Sequence, residues 1–194
     1  GHLCAPKPGE RWWDLCAGAG GKALHLLDQL NHTGHVLCTD VRGDALAEFK
    51  RRASAAGFGN WTTRQIPANP AEWTIDAAFD GILLDAPCTG TGTWGRAPDA
   101  RWRASAEDCR AQAARQTQLL RHALRRLKPG GRLIYTVCSL THSETRGVLN
   151  TLAQEFAIHP RPILHPLTGL QSTTGCIFPS DGPGIGMWFA KFGT

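Results

Sequence analysis

RWWDLCAGAGGK, residues 11–22, contains an apolar run that reads as a strand over 11–16, then a turn carrying Gly18, Gly20 and Gly21, then the start of a helix over 21–30. A glycine-rich turn between strand and helix lets the backbone bend tightly, and it leaves the first helical amides unpaired, ready for a carboxylate or a phosphate. Cys16, Ala17, Gly18, Ala19, Gly20, Gly21 and Lys22 are therefore candidate cofactor contacts. Asp40, at the end of the next strand-like run, is placed to accept ribose hydroxyls. By itself the loop has other readings. Gly18, Gly20 and Ala23 also satisfy a relaxed dinucleotide fingerprint, which keeps a nicotinamide-dependent enzyme open. A Walker loop fits poorly, because Ala23 follows Lys22 where Ser or Thr is needed.

Outward from this turn, strand and helix signals alternate. Strands are expected over 35–40, 61–65, 79–84, 132–137 and 185–192, and helices over 44–56, 105–127 and 142–156. The helix over 105–127 places Leu119, Leu120, Ala123, Leu124 and Leu127 on one buried face, and residues 128–131, Lys-Pro-Gly-Gly, are expected to stop it. Such alternation implies a doubly wound α/β fold, mostly parallel, with helices on both faces and one domain over 1–194. Ligands of such sheets bind beyond the carboxyl ends of the strands, which assigns the glycine-rich turn, Asp40, Asp85, Cys88 and Cys138 to one rim.

Composition narrows the class. With 42% hydrophobic and 19% charged residues, the chain reads as a soluble cytoplasmic globular protein, without an apolar run of the roughly 20 residues that a membrane span needs. Seven scattered cysteines do not form a disulfide framework. Without Cys-x-x-Cys or His-Glu-x-x-His, a zinc site would have to be assembled from residues such as His2, Cys4 or Cys176, so no metal is expected. Cys4, Cys38, Cys109 and Cys176 read as inert core thiols.

The net charge of +5 is concentrated over residues 96–126, where eight arginines face three acidic residues. Arg121, Arg125 and Arg126 read as a helix end balancing its dipole. Trp94, Arg96, Arg101, Trp102 and Arg103 interleave rings and cations, an arrangement suited to stacking bases and gripping phosphates, and equally to packing a long loop.

Taken together, DLCAGAGGK at 14–22, Asp40, DAPCTGTG at 85–92, RAPDARW at 96–102, LKPGGRLIYTVCSL at 127–140 and GMWFA at 186–190 resemble the RsmB/Sun family of S-adenosylmethionine-dependent RNA (cytosine-5) methyltransferases. The resemblance implies a Rossmann-like class I methyltransferase sheet of seven strands, the last antiparallel, with S-adenosyl-L-methionine as cofactor and a ribosomal or transfer RNA as partner. It also implies roles: Cys16 through Lys22 around the methionine end of the cofactor, Asp40 on the ribose, Asp85 between cofactor and base, Cys138 as nucleophile and Cys88 releasing the product. Ala19, Thr89 and Val137 stand where the family usually has proline, serine and threonine, and Gln65 or Ile66 takes the place of the usual acidic residue after the third strand. The family's N-terminal RNA-binding region has no counterpart in the 194 residues, so a separate RNA-binding domain or protein is an expected partner.

The chemistry suits thiols. Carbon 5 of cytosine is a poor nucleophile until a thiolate adds to carbon 6, and a base must later remove the carbon-5 proton. Asp85 is placed to hydrogen-bond the base and stabilise the adduct. Three alternatives stay open: a DNA cytosine methyltransferase, which would attack with Cys88, a nicotinamide-dependent enzyme, and an inactive RNA-binding scaffold.

Overall fold

The computed structural model describes residues 1–181 and 184–193. In chain order the elements are β1 (Arg11–Asp14), α1 (Gly21–Leu30), β2 (His35–Asp40), α2 (Gly43–Ala55), β3 (Trp61–Gln65), β4 (Phe79–Asp85), α3 (Ala100–Arg103), α4 (Ala106–Leu124), β5 (Leu127–Val137), α5 (Arg146–Ala153), β6 (His159–Pro160), β7 (Ile163–Leu164), β8 (Gln171–Ser172), β9 (Thr174–Ile177) and β10 (Met187–Gly193). They make a Rossmann-like α/β fold that divides into two compact units, Gly1–Asp85 with His122–Ile134, and Ala86–Arg121 with Tyr135–Gly193.

In the first unit the hydrogen-bonded order is β3-β2-β1-β4-β5. The β1–β2, β1–β4 and β2–β3 pairs are parallel, with Trp13 opposite both Leu37 and Ile82. Trp12, Trp13 and Asp14 are all buried, as expected of a central parallel strand covered on both sides. Helix α1 buries Ala23, Leu26, Leu27 and Leu30, the spacing of a single helical stripe, and ends at Asn31 in a left-handed conformation. Those side chains join Trp12, Val36, Phe49 and Leu83 in one core cluster. Truncating a ring such as Phe49 there would cost about 3–5 kcal/mol.

A charged clamp ties the first residues to this unit. Arg132 donates to the Glu10 carboxylate at 2.9 and 2.6 Å, and to the carbonyls of Cys4 and Ala5 at 2.8 and 2.7 Å. Its guanidinium also lies 4.9 Å from the centre of the Trp12 ring.

The second unit contains the end of β5, then β10 and β6. Strand β10 is antiparallel to β6, where Phe192 faces Pro160, and to β9, where Trp188 faces Cys176. Strands β7 and β8 form a separate antiparallel pair.

Several boundaries differ from the sequence expectations. Strand β1 stops at Asp14, leaving Cys16 in the turn. Helix α4 ends at Leu124, and Leu127 opens β5 as a buried strand residue. Lys-Pro-Gly-Gly over 128–131 therefore lies within the strand, where Lys128 pairs with Asp80 at 2.8 Å. Helix α5 covers only Arg146–Ala153, because Thr145 keeps a non-helical backbone. Among the described residues no helix is long and apolar enough to cross a membrane.

Candidate active site

The glycine-rich turn of the first unit is built for close backbone approach. Gly18 and Gly20 have φ of 55° and 80°, the left-handed region, and a Cβ on Gly20 would run into the Phe49 ring. Inside the turn the Ala17 amide donates to the Thr39 carbonyl at 2.9 Å and the Gly20 amide to the Ala17 carbonyl at 2.9 Å, while Arg52 donates to the Ala19 carbonyl at 2.8 Å. Cys16 is half-buried beside them.

Asp40 accepts from the Gly18 amide at 2.8 Å and from the Arg42 amide at 2.9 Å, and it pairs with the Arg42 side chain at 3.1 Å. Burial alone would raise its carboxyl, but the hydrogen bonds from Arg42 and Gly18 hold it below the ordinary range. Lys22 forms an ion pair with Asp85. Gln65 donates to the Val41 carbonyl at 3.0 Å, and Ile66 is buried.

Asp14 carries a signal that motif reading passed over, although it opens the stretch DLCAGAGGK. It is buried, and among the described residues neither carboxylate oxygen has a hydrogen-bond partner. Burial, reinforced by the charge of Asp85, pushes its pKa up to about 7. A buried acid left without a donor, close in charge to a left-handed glycine turn, fits a ligand that brings a cationic nitrogen, as the ammonium of S-adenosyl-L-methionine would.

The second unit brings two expected residues together. Cys88 Sγ lies 3.3 Å from Cys138 Sγ, close enough for a thiol to donate to a thiolate. That hydrogen bond, together with burial, pushes the Cys88 thiol above its ordinary range. The two loops are also joined by their backbones. The Gly92 amide donates to the Cys138 carbonyl at 2.8 Å, and the Leu140 amide donates to Thr91 Oγ1 at 2.8 Å. A Cβ on Gly92 would meet the Cys138 and Gly186 carbonyls, so the residue permits this approach, while Gly90, at φ 69°, makes the turn.

Glu144, absent from the sequence-derived candidates, lies buried beneath this loop pair. Only its position among Ser139, Thr141 and Ser143 hinted at a hydrogen-bonded turn.

The arginine and tryptophan segment forms a partial cluster. Arg101 lies 5.9 Å from the Trp94 ring centre and 5.7 Å from that of Trp102, whose side chain is 84% exposed. Arg96 is exposed, whereas Arg103 pairs with Asp99 at 2.6 Å. Arg121 pairs with Glu155, and Arg126 donates to the Ile75 carbonyl, so neither serves only to balance a helix dipole. No group of three or more His, Cys, Asp or Glu suited to a metal occurs among the described residues.

Comparison with known proteins gives one family. The family described as 16S rRNA methyltransferase RsmB/F matches residues 2–193. Ribosomal RNA small subunit methyltransferase B of Erwinia tasmaniensis is 34% identical over 193 residues, covering 97% of this chain and 43% of the relative. The protein of that name from Thermus thermophilus is 36% identical over 200 residues, covering 97% and 46%. The chain thus spans under half the length of these curated relatives. The crystal structure of PH0851 superposes with a TM-score of 0.90 at 30% identity, covering all of this chain and 44% of that one. A match over nearly every residue, with the fold and the paired thiols in hand, means that the chain belongs to the RsmB/F methyltransferase family, whose cofactor is S-adenosyl-L-methionine.

Proposed function

We propose that this chain methylates RNA, transferring a methyl group from S-adenosyl-L-methionine to carbon 5 of a cytosine through a cysteine adduct at carbon 6. The observation that carries the reading is the Cys88–Cys138 pair, two sulfurs at 3.3 Å on two adjoining loops.

Cys138 adds through its sulfur to carbon 6, which breaks the ring's aromaticity and makes carbon 5 electron-rich. Asp85, oriented by Lys22, accepts a hydrogen bond from the base's amino group. S-adenosyl-L-methionine, when bound, supplies an electrophilic methyl group on a sulfonium sulfur. Asp14, Asp40 and the turn from Cys16 to Lys22 would hold it, the unpartnered Asp14 carboxylate offering an acceptor for its ammonium group.

The pair geometry explains why Cys88 changes role. Its pKa is raised first by the hydrogen bond to Cys138, so once Cys138 is bonded to carbon 6 that influence is gone. Cys88 then ionises more readily, its thiolate takes the carbon-5 proton, and elimination of Cys138 restores the ring. Trp94, Arg96, Arg101, Trp102 and Arg103 contribute rings and cations to RNA binding.

The test is methylation of an unmodified 16S ribosomal RNA transcript with methyl-labelled S-adenosyl-L-methionine. Native chain should label carbon 5 of cytosine, and Cys138→Ala should give no label. Cys88→Ala should accumulate a protein–RNA adduct that survives denaturant. Full activity in Cys138→Ala with loss in Cys88→Ala would assign attack to Cys88, and absence of label from the native chain would overturn the reading.

A further inference from the structure

Beneath the two thiols lies a buried carboxylate with an unusual set of donors. Glu144 is fully buried, and among the described residues no Lys, Arg or His forms an ion pair with it. Hydrogen bonds compensate its charge instead. Oε1 accepts from the Thr89 amide at 2.9 Å and from Gln116 Nε2 at 3.1 Å. Oε2 accepts from Ser139 Oγ at 2.6 Å, from Thr141 Oγ1 at 3.0 Å and from Thr89 Oγ1.

The positions of these donors in the sequence matter. Thr89 directly follows Cys88, and Ser139 directly follows Cys138. Gln116 also donates to the carbonyl of Pro87, the residue before Cys88, at 2.9 Å. Cys88 is thus gripped from both flanks, and the chain leaving Cys138 is held by the same carboxylate. Tyr135 donates to the Glu144 carbonyl at 2.7 Å, fixing the backbone from which the side chain rises.

A buried charge is costly, and a network that merely stabilised the fold would be matched by a well-packed apolar residue. Charge-assisted bonds are short and directional, which suits a group that must fix distances. We propose that Glu144 is a positioning residue for methyl transfer, setting the separation of Cys88 and Cys138 by gathering donors from the residue after each. It does not touch the base or the reacting sulfurs. The inference rests on the assignment of Cys138 and Cys88 to the reaction given above.

The test separates spacing from folding. Phenylarsine oxide condenses with two neighbouring thiols, forming two As–S bonds and releasing one water, and it holds single thiols weakly. Its affinity reports the Cys88–Cys138 separation without need of RNA or cofactor. Glu144→Gln keeps the shape and one acceptor oxygen, and its amide can donate to the hydroxyls of Ser139 and Thr141, which also accept. Glu144→Ala offers neither.

For Glu144→Gln, kcat should stay within about tenfold of native, whereas for Glu144→Ala it should fall at least about a hundredfold. In both, the KM for S-adenosyl-L-methionine should hold within about twofold, and phenylarsine oxide affinity should fall in step with kcat. Should Glu144→Ala fail to fold, as judged by thermal melting, Ser139→Ala and Thr89→Val each cut one side of the clamp, and kcat should fall with arsenical affinity in both.

Retention of kcat in the Ala variant, or a loss of kcat with arsenical capture unchanged, would overturn the proposal. Full activity in Cys138→Ala would instead sink the underlying assignment. The two failures are distinct, because arsenical capture by the native chain depends on neither RNA nor turnover.

Discussion

Cys88 and Cys138 share a contact of 3.3 Å, and the hydrogen bond to this neighbour is the chief cause that raises the Cys88 thiol above its ordinary range. Removing that neighbour should free it. In Cys138→Ser, Cys88 should alkylate with iodoacetamide at least about tenfold faster than in the native chain, since reactivity follows the thiolate fraction. Peptide mass spectrometry after timed quenching reads the rate. An unchanged rate would mean that burial, not Cys138, holds the proton.

Asp14 predicts a pH dependence of stability. Its folded pKa of about 7 exceeds the ordinary 3.8, so between those values the native state keeps a proton that the unfolded chain has released. Stability present below the lower value is therefore lost as pH rises through the window, by up to about 4 kcal/mol if Asp14 titrated alone. Urea denaturation across that range should show the decline, and Asp14→Asn should flatten it. S-adenosyl-L-methionine should bind with proton release, measurable by calorimetry in buffers of different ionisation enthalpy.

Gly20 and Gly21 are adjacent but should respond differently to alanine. Gly20 has φ 80° and faces the Phe49 ring, so Gly20→Ala combines left-handed strain with overpacking, costing about 2–4 kcal/mol. Gly21 begins α1, and a Cβ placed there would meet nothing within 4 Å, so Gly21→Ala should be neutral or stabilise by up to about 1 kcal/mol. Chemical denaturation of the two variants side by side decides it.

Trp102 is exposed enough that Trp102→Ala should leave stability within about 0.5 kcal/mol while weakening RNA binding by about 1–3 kcal/mol. Arg101→Ala should weaken binding across RNA sequences and reduce the salt slope by about 1. Fluorescence anisotropy with labelled RNA over a salt series measures both. Loss of melting temperature in Trp102→Ala would point to a packing role.

What the sequence discloses depends on how local the cause is. Helix α1 and strands β2 and β3 match their expected ranges, because glycine turns and apolar periodicity bound them on both sides. The start of β5 was hidden by Pro129 and Gly130, which read as a stop, whereas burial of Leu127 and the pairing of Lys128 with Asp80 keep the strand going. Both are tertiary effects without a local signature. The late start of α5 has a similar origin, since Glu144 is committed to the thiol loops and Thr145 Oγ1 donates to the Thr141 carbonyl at 2.7 Å. The thiols were legible from their motifs. The carboxylate that joins their loops was not, because its partners lie up to 55 residues away.

The first unit takes its residues from two separated stretches, Gly1–Asp85 and His122–Ile134. On a translating ribosome, β4 emerges before its neighbour β5 has been made. At about 5–20 residues per second, the roughly 40 intervening residues leave one edge of β4 unpaired for a few seconds. Glu10, which precedes Arg132 by 122 residues, waits longer still for its partner. The nascent chain therefore passes through an interval with an open, apolar sheet edge, the stage at which a chaperone would have most to protect.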